Sequence, residues 1–295
     1  MLKLNKANAK QEKLRGFTLI ELVVVIIILG VMAVGIGGFI TLSTQTYVNV
    51  TDRDELAASA RFVIERLNRE LRNAVPNSIR VAVDNTTTPT KQCLEFIPIK
   101  VTTIYASLPV LPEVAANSME VFPIFYDDGT NYSCNNCGNK IVIFPLSPAD
   151  VYQRIDTSLA KSFVLKNYTS PLPPQEMSTL TFNLDSINFS EESPTKRAFI
   201  YNEPVSYCVE ANRINRYSGY SFNDTQVLPP NVNILNGKKS LMAKNVVFDS
   251  RSLPFITNNA SLQRNAVIQV NLKFSRDNAN EMIAFNTAIH TTNTP

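Results

Sequence analysis

From Leu22 to Thr51 the chain carries no charged residue, and Leu22–Ile40 (LVVVIIILGVMAVGIGGFI) is almost wholly apolar. About 20 apolar residues suffice for a helix to cross the roughly 30 Å of bilayer hydrocarbon, so this run is long enough to span. The bland alternative is a core helix of a soluble protein. Beyond the run, Leu56, Ala60, Val63, Leu67, Leu71 and Ala74 recur at spacings of 4, 3, 4, 4 and 3, the single apolar stripe of an amphipathic helix. On the opposite face Arg61–Glu65, Glu65–Arg69 and Arg66–Glu70 are opposite charges four residues apart, spaced to pair on a helix surface. Pro76 stops the pattern, because proline lacks the backbone N–H and disfavours helix at the residue before it. A helix from Phe17 to Val75 would be roughly 90 Å long at ~1.5 Å per residue. Its second half must therefore leave any bilayer and pack on a folded domain.

After Pro76 the period shortens. Short apolar stretches between Pro, Asn, Ser and Gly predict strands at Ser78–Val83, Cys93–Ile104, Met119–Phe125, Lys140–Phe144, Leu180–Asn183, Ala198–Tyr201, Ser206–Glu210, Asn245–Phe248, Ala266–Phe274 and Glu281–Ile289. Segments 105–118, 145–176 and 211–240 read as loops, with a helical turn near Ala149–Arg154. The expected class is α+β, a long N-terminal helix laid on an antiparallel sheet. Four regions follow: a basic leader (1–16), a transmembrane helix (17–40), an amphipathic exported half-helix (41–75) and a β-rich globular domain (76–295).

Composition sharpens this division. None of the 17 prolines precedes Pro76, and five of the nine glycines fall within the first 38 of 295 residues. One histidine and no tryptophan remove most histidine-based hydrolase and multi-histidine metal readings. The net charge of +3 resides in the leader, where Lys3, Lys6, Lys10, Lys13 and Arg15 against Glu12 give 5 − 1 = +4, leaving 3 − 4 = −1 for the rest. Nucleic-acid binding is therefore not indicated. Basic residues before the apolar run and Asp52, Asp54 and Glu55 after it predict a single span with a cytoplasmic N-terminus and the remainder outside.

No small-residue cleavage site follows the apolar core, as a secretory signal would require. The small residue precedes it, in Lys13-Leu14-Arg15-Gly16-Phe17-Thr18-Leu19-Ile20-Glu21. A cut after Gly16 would leave the helix on the mature chain with a free amine on Phe17. The stretch KLRGFTLIELVVVIIILG resembles the leader and N-terminal helix of type IV pilins and type II secretion pseudopilins. That resemblance implies cleavage between Gly16 and Phe17 by a prepilin peptidase, N-methylation of Phe17, and a subunit-assembly role for Glu21. It also implies other minor and major pilins, an inner-membrane assembly platform and membrane lipid as partners. The location it implies is the inner membrane, with a final place in a pilus at the cell surface. The pseudopilin at the extreme tip typically lacks the acidic residue that Glu21 supplies here.

Glu21 is costly inside an apolar span, on the order of 2.5–3.5 kcal/mol at the centre and less near an end. The Phe17 amine, of the same or a neighbouring subunit, would offset it; the alternative is a carboxylate reaching the headgroups beside a helix N-terminus. Gly30, Gly35, Gly37 and Gly38 weaken the helix but allow close approach of neighbouring helices in lipid. Glycine at 38 stands where many type IV pilins have proline, near a stretch thought to melt on assembly. The GIGG run is not a nucleotide loop, since no strand precedes it.

Four cysteines, Cys93, Cys134, Cys137 and Cys208, lie on the exported side, where disulfides form. They allow three connectivities. The favoured one joins Cys134 to Cys137 around a turn and Cys93 to Cys208 across two strands. A redox Cys-x-x-C would need a helix N-terminus in a βαβ setting, and a zinc site would need reduced thiols. Asp127-Asp128-Gly129 reads as a solvated turn lacking the remaining ligands of a calcium loop. His290, with Glu281 at the start of its strand, has no catalytic partner. No catalytic residue, metal or cofactor is expected, and the chain reads as a non-enzyme.

Beyond the leader, TDRDELAASARFVIERLNRELRNAVPNSIRV (51–81), the Cys93-x-Glu95-Phe96 strand and the closing AIHTTNTP (288–295) resemble minor pilins of mannose-sensitive haemagglutinin (MSHA) pilus biogenesis. J-type pseudopilins and W-type minor pilins share the layout. Two rival functions remain. One is a pilus-tip adhesin binding sugar or DNA, with Tyr201, Tyr207, Tyr217, Tyr220, Arg213 and Arg216 as a ligand surface; the other is a membrane-anchored thiol oxidoreductase using Cys134 and Cys137.

Overall fold

The computed structural model describes residues 16–86, 90–153, 159–171, 176–229, 237–248, 252–258, 266–276 and 282–291. The chain opens with α1 (Leu19–Arg72). Then come β1 (Arg80–Asp84), β2 (Lys91–Phe96), β3 (Ile99–Ser107), β4 (Ser118–Val121), β5 (Cys134–Asn135), β6 (Lys140–Ile143), α2 (Ala149–Tyr152), β7 (Leu159–Ala160), β8 (Ser162–Thr169) and β9 (Ser178–Phe182). The remainder is β10 (Asn188–Phe189), β11 (Arg197–Tyr201), β12 (Val205–Glu210), β13 (Arg213–Ser218), β14 (Lys238–Lys244), β15 (Val246–Val247), β16 (Phe255–Asn258), β17 (Val267–Ser275) and β18 (Met282–His290). The class is α+β, with almost every strand pair antiparallel. Two compact units divide at Asp54/Glu55.

In the first unit, every residue from Leu19 to Thr51 is exposed. This is an apolar surface with no intramolecular cover. Thr41, Thr44, Thr46 and Thr51 turn their hydroxyls onto the carbonyls of Gly37, Ile40, Leu42 and Tyr47 at 3.0, 2.8, 2.9 and 2.9 Å. These four hydroxyls are thus satisfied by the helix's own carbonyls.

In the second unit, the predicted stripe is the buried one: Leu56, Ala60, Val63, Leu67 and Leu71 face a core shared with Leu94, Phe96, Tyr207, Val209, Ile268, Val270, Leu272 and Phe274. Burying each such leucine contributes on the order of 1.5–3 kcal/mol. The helix ends at Arg72 rather than Val75. Asn73 and Val75 spend their backbone groups elsewhere: Val75 N–H donates to Ile97 O (2.8 Å) and Asn73 O accepts from Ile99 N–H (2.9 Å).

Strands β1-β2-β12-β13-β14 form one sheet over this core, and β17, flanked by β15 and β16 on one side and β18 on the other, forms a second. The side-chain amide of Gln92 joins them as a strand would, donating to Phe255 O (2.8 Å) and accepting from Phe255 N–H (2.9 Å).

The expected strand Cys93–Ile104 is two strands in different sheets. Pro98, which cannot donate to a ladder, breaks it; β2 stays in the body while β3 enters an insertion. Residues 99–201 leave between β2 and β12, which pair directly (Phe96 opposite Val205). Within the insertion the pairings β6–β11–β3–β4–β9–β8–β6 run full circle, β8 joining β6 through residues 162–164 and β9 through 165–169. The result is a small closed barrel filled by Val101, Tyr105, Val121, Ile141, Phe163, Leu165, Leu180, Phe182 and Ile200. Ile97, Val142, Val151, Tyr152, Phe199 and Tyr201 seat it against Val75 at the end of the helix.

Three loop expectations are corrected. Segment 145–176 contains β8, and 211–240 contains β13 and the start of β14. Segment 105–118 is crossed by the end of β3. Arg and Lys in these strands (RINRYS, KKSLMAK) hide their period-2 pattern.

Candidate processing and assembly site

Gly16, Phe17 and Thr18 lie just before the helix, all exposed. Thr18 is its N-cap: the Thr18 hydroxyl accepts from Glu21 N–H (3.4 Å) and Thr18 O accepts from Leu22 N–H (3.2 Å). Thr18-Leu19-Ile20-Glu21 has the spacing of a capping box, a signal available in the sequence and missed there. Glu21 in the first turn also meets the positive end of the helix dipole. Chain neighbours and the helix's own backbone aside, no described residue lies within 4 Å of where a Cβ on Gly16, Gly30, Gly35, Gly37 or Gly38 would sit. Among the described residues, no packing contact requires a small side chain at these positions. The helix runs unbroken through Gly30–Gly38. The basic residues 1–15 lie outside the described residues.

In the second unit, Cys93 and Cys208 are register partners on β2 and β12, joined by a disulfide with Cα atoms 4.1 Å apart. Cys134 is joined to Cys137 across a turn that uses positive φ at Asn136 (48°) and Gly138 (66°). Neither cysteine of that pair stands at a helix N-terminus. Asp128 Oδ1 accepts from the backbone N–H and hydroxyl of Thr130 (2.9 and 2.6 Å), the geometry of a self-contained turn, and these bonds hold its carboxyl below the ordinary range. Among the described residues no group of three or more His, Cys, Asp or Glu is placed to hold a metal. His290 is exposed on β18, and Glu281 lies outside the described residues.

The aromatic ligand surface is overturned. Tyr201, Tyr207, Tyr217 and Tyr220 are all buried, none more than 2% exposed. The rings turn inward: Tyr217 of β13 and Tyr220 just beyond it pack on the Cys93–Cys208 disulfide, and Tyr207 stacks on Phe96 in the main core. Arg216 is spent on Glu70 (3.1 Å).

A buried charge escaped the sequence reading. Glu95, 1% exposed, pairs with Arg80 and accepts from the Tyr220 hydroxyl (2.8 Å). Arg80 also donates to the carbonyls of Asp224 and Asn223 (2.7 and 2.8 Å) and lies over the Tyr152 ring at 3.6 Å. Burial pushes the Glu95 carboxyl up, with Arg80 opposing. The network ties the body to α2 of the insertion through the Arg80–Tyr152 contact, while the buried Tyr152 hydroxyl has no hydrogen-bond partner among the described residues.

The prokaryotic N-terminal methylation motif family matches residues 13–37. No curated protein and no solved structure matches the chain. The matched segment contains Gly16, Phe17, Thr18 and Glu21 and the first part of the exposed apolar helix, so the chain carries a type IV pilin-like leader followed by a helix fit for a single-pass inner-membrane protein.

Proposed function

We propose that the chain is a minor type IV pilin of the MSHA kind, most similar to the biogenesis protein MshO, that takes part in starting or assembling a pilus used for surface attachment. A prepilin peptidase cuts between Gly16 and Phe17 and the new Phe17 amine is methylated. The subunit waits in the inner membrane with its C-terminal domain in the periplasm. An assembly platform then extracts it to stack with other pilins, Glu21 meeting a neighbour's amine. The role is structural rather than enzymatic. The observation that carries this reading is the position of the methylation motif: the Gly16–Phe17 bond lies immediately ahead of the Thr18 cap, so a cut there removes the leader and leaves the helix whole. Head-to-tail contacts that do not close generate an open filament, and an exposed apolar helix supplies such a contact. J-type pseudopilins and W-type minor pilins carry the same leader; the patches at 51–81 and 288–295 favour the MSHA kind.

The test is paired. Gly16→Ile is expected to retain the leader, seen as a slower band and an unprocessed terminus; normal processing sinks the reading. Glu21→Val is expected to insert in the membrane normally yet reduce surface pili or recruitment of a neighbouring pilin at least tenfold.

A further inference from the structure

Strand β18 runs nine residues, Met-Ile-Ala-Phe-Asn-Thr-Ala-Ile-His, along the outside of its sheet. It pairs with β17 over its whole length, Met282 opposite Ser275 through His290 opposite Val267. Thr291 N–H donates to Ala266 O (3.1 Å), which fixes the phase of the ladder. In an antiparallel pair, bonded and non-bonded residues alternate. Ile283, Phe285, Thr287 and Ile289 therefore bond β17, while Met282, Ala284, Asn286, Ala288 and His290 aim their N–H and C=O groups away from it. Among the described residues nothing accepts or donates on that side.

Unpaired edges invite another strand, and folded proteins blunt them with charge, proline, bulges, brevity or closure. Among the described residues, the barrel and the outer strands of the main sheet are blunted in these ways. The barrel closes on itself. The outer edge of β14 carries exposed Lys238, Lys239 and Lys244. β1 is short, bears Arg80 and Asp84 at its ends and lies beside β16. Among the edge strands of seven or more described residues, β18 has no charge, no proline and no register shift along its ladder, whereas β14 has three lysines and a shift. Its core-side residues Ile283 and Phe285 pack on the main core yet stay only partly covered.

We infer that the outer edge of β18 is a strand-addition site for an extended, uncharged segment of a neighbouring pilin subunit of another kind. The added strand would place apolar residues at alternate positions over Ile283 and Phe285 and small or polar residues beside Ala284, Asn286 and Ala288. A peptide backbone matches the alternating row of outward N–H and C=O groups along its whole length, which a lipid or a sugar does not, so the occupant is a strand. Pairing of β18 with itself would be isologous and close at two copies, ending growth instead of continuing it. This inference rests on the pilin reading for the identity of the neighbour, and it adds a contact separate from the helix.

The photoreactive residue p-benzoylphenylalanine is placed at Asn286 in the full-length chain in its own bacterium, with Leu241 on the lysine-guarded edge as control. The expected product is an adduct, mapped by mass spectrometry, to an extended segment of a different subunit bearing the methylation motif. The Ala284→Lys/Ala288→Lys background should reduce it at least tenfold while the Cys93–Cys208 disulfide remains. An adduct only with a second copy, only with lipid, or equal at Leu241 overturns the inference, as does no adduct. Terminus sequencing and pilus counts from the same cells separate the two claims. Processed chain in pili without the Asn286 adduct refutes the edge site alone; unprocessed chain refutes the pilin reading, and the adduct map still decides the edge.

Discussion

Glu70, in the last turn of α1, is held by Arg216 of β13 through an Nε–Oε2 contact of 3.1 Å, 146 residues away in sequence. The other carboxylate oxygen of Glu70 accepts from Arg66 at 2.9 Å, one turn back on the same helix. One half-buried carboxylate thus fixes the rotation of the helix end on the sheet, where the apolar stripe alone would tolerate slippage. A double-mutant cycle of Glu70→Gln and Arg216→Met, on denaturant unfolding of the detergent-solubilised chain, is expected to give a coupling of about 1 kcal/mol, at the upper end for a partly exposed pair. A coupling near zero would mean that packing alone sets the register.

The two disulfides should differ sharply in worth. Cys93–Cys208 closes a sequence separation of 115 residues and Cys134–Cys137 one of 3. In the chain-entropy account these correspond to about 5 and about 2 kcal/mol. Serine replacement of the first pair is expected to make the exported domain protease-sensitive at growth temperature, whereas the second should lower the thermal midpoint only modestly. Equal losses would point to a local packing role for the shorter bridge.

Glu210 predicts an acid-side loss of stability. Burial pushes its carboxyl up, but hydrogen bonds from Lys239 (2.8 Å), Tyr217 (2.6 Å) and Asn215, with the Lys239 charge, bring it below the ordinary glutamate value. The unfolded chain then binds the proton more tightly than the folded one. The stability this site contributes is present above the unfolded pKa of about 4.3 and is lost as pH falls through the lower folded value. Denaturant midpoints measured downward from pH 6 should fall more steeply for the native chain than for Glu210→Gln; parallel curves would refute the assignment.

The helix was legible because its information is local: the uncharged run and the stripe at Leu56 to Leu71 each act within a few turns. Its end comes at Arg72, before Pro76, because Asn73 and Val75 bond to Ile99 and Ile97. The leader motif is legible for the same reason. The barrel was not, because its closure depends on β8 pairing with β6 at one end and β9 at the other, a relationship between segments with no local mark. Pro98 inside the apparent twelve-residue strand Cys93–Ile104 marks the break, because proline cannot donate to a ladder. The tyrosines misled for a different reason. Aromatic residues with a polar tip suit surfaces and cores alike; the pairing of β13 with β12 decides that Tyr217 faces inward, and the Tyr220 hydroxyl is held inside by Ser206 and Glu95.

The insertion itself makes the boldest prediction. Because Phe96 and Val205 are opposite one another on β2 and β12, the body's sheet is complete without residues 97–204, and the chain leaves and re-enters it at one point. Replacing 97–204 with a short Asn-Gly hairpin loop keeps Cys93 and Cys208 as register partners and leaves the helix stripe its whole core. The cost falls at the seam: Val75 loses its cover from Ile97, Val142 and Phe199, and Arg80 loses the ring of Tyr152. A second change, Val75→Thr, would answer the exposed valine. The shortened chain is expected to insert in the membrane, form the Cys93–Cys208 disulfide and resist protease from Glu55 onward. Should it fail to form that disulfide, the barrel is part of the body's folding unit and not a module carried on it. Should it fold yet assemble no pili, the barrel's outer surface carries a contact that the helix and β18 do not supply.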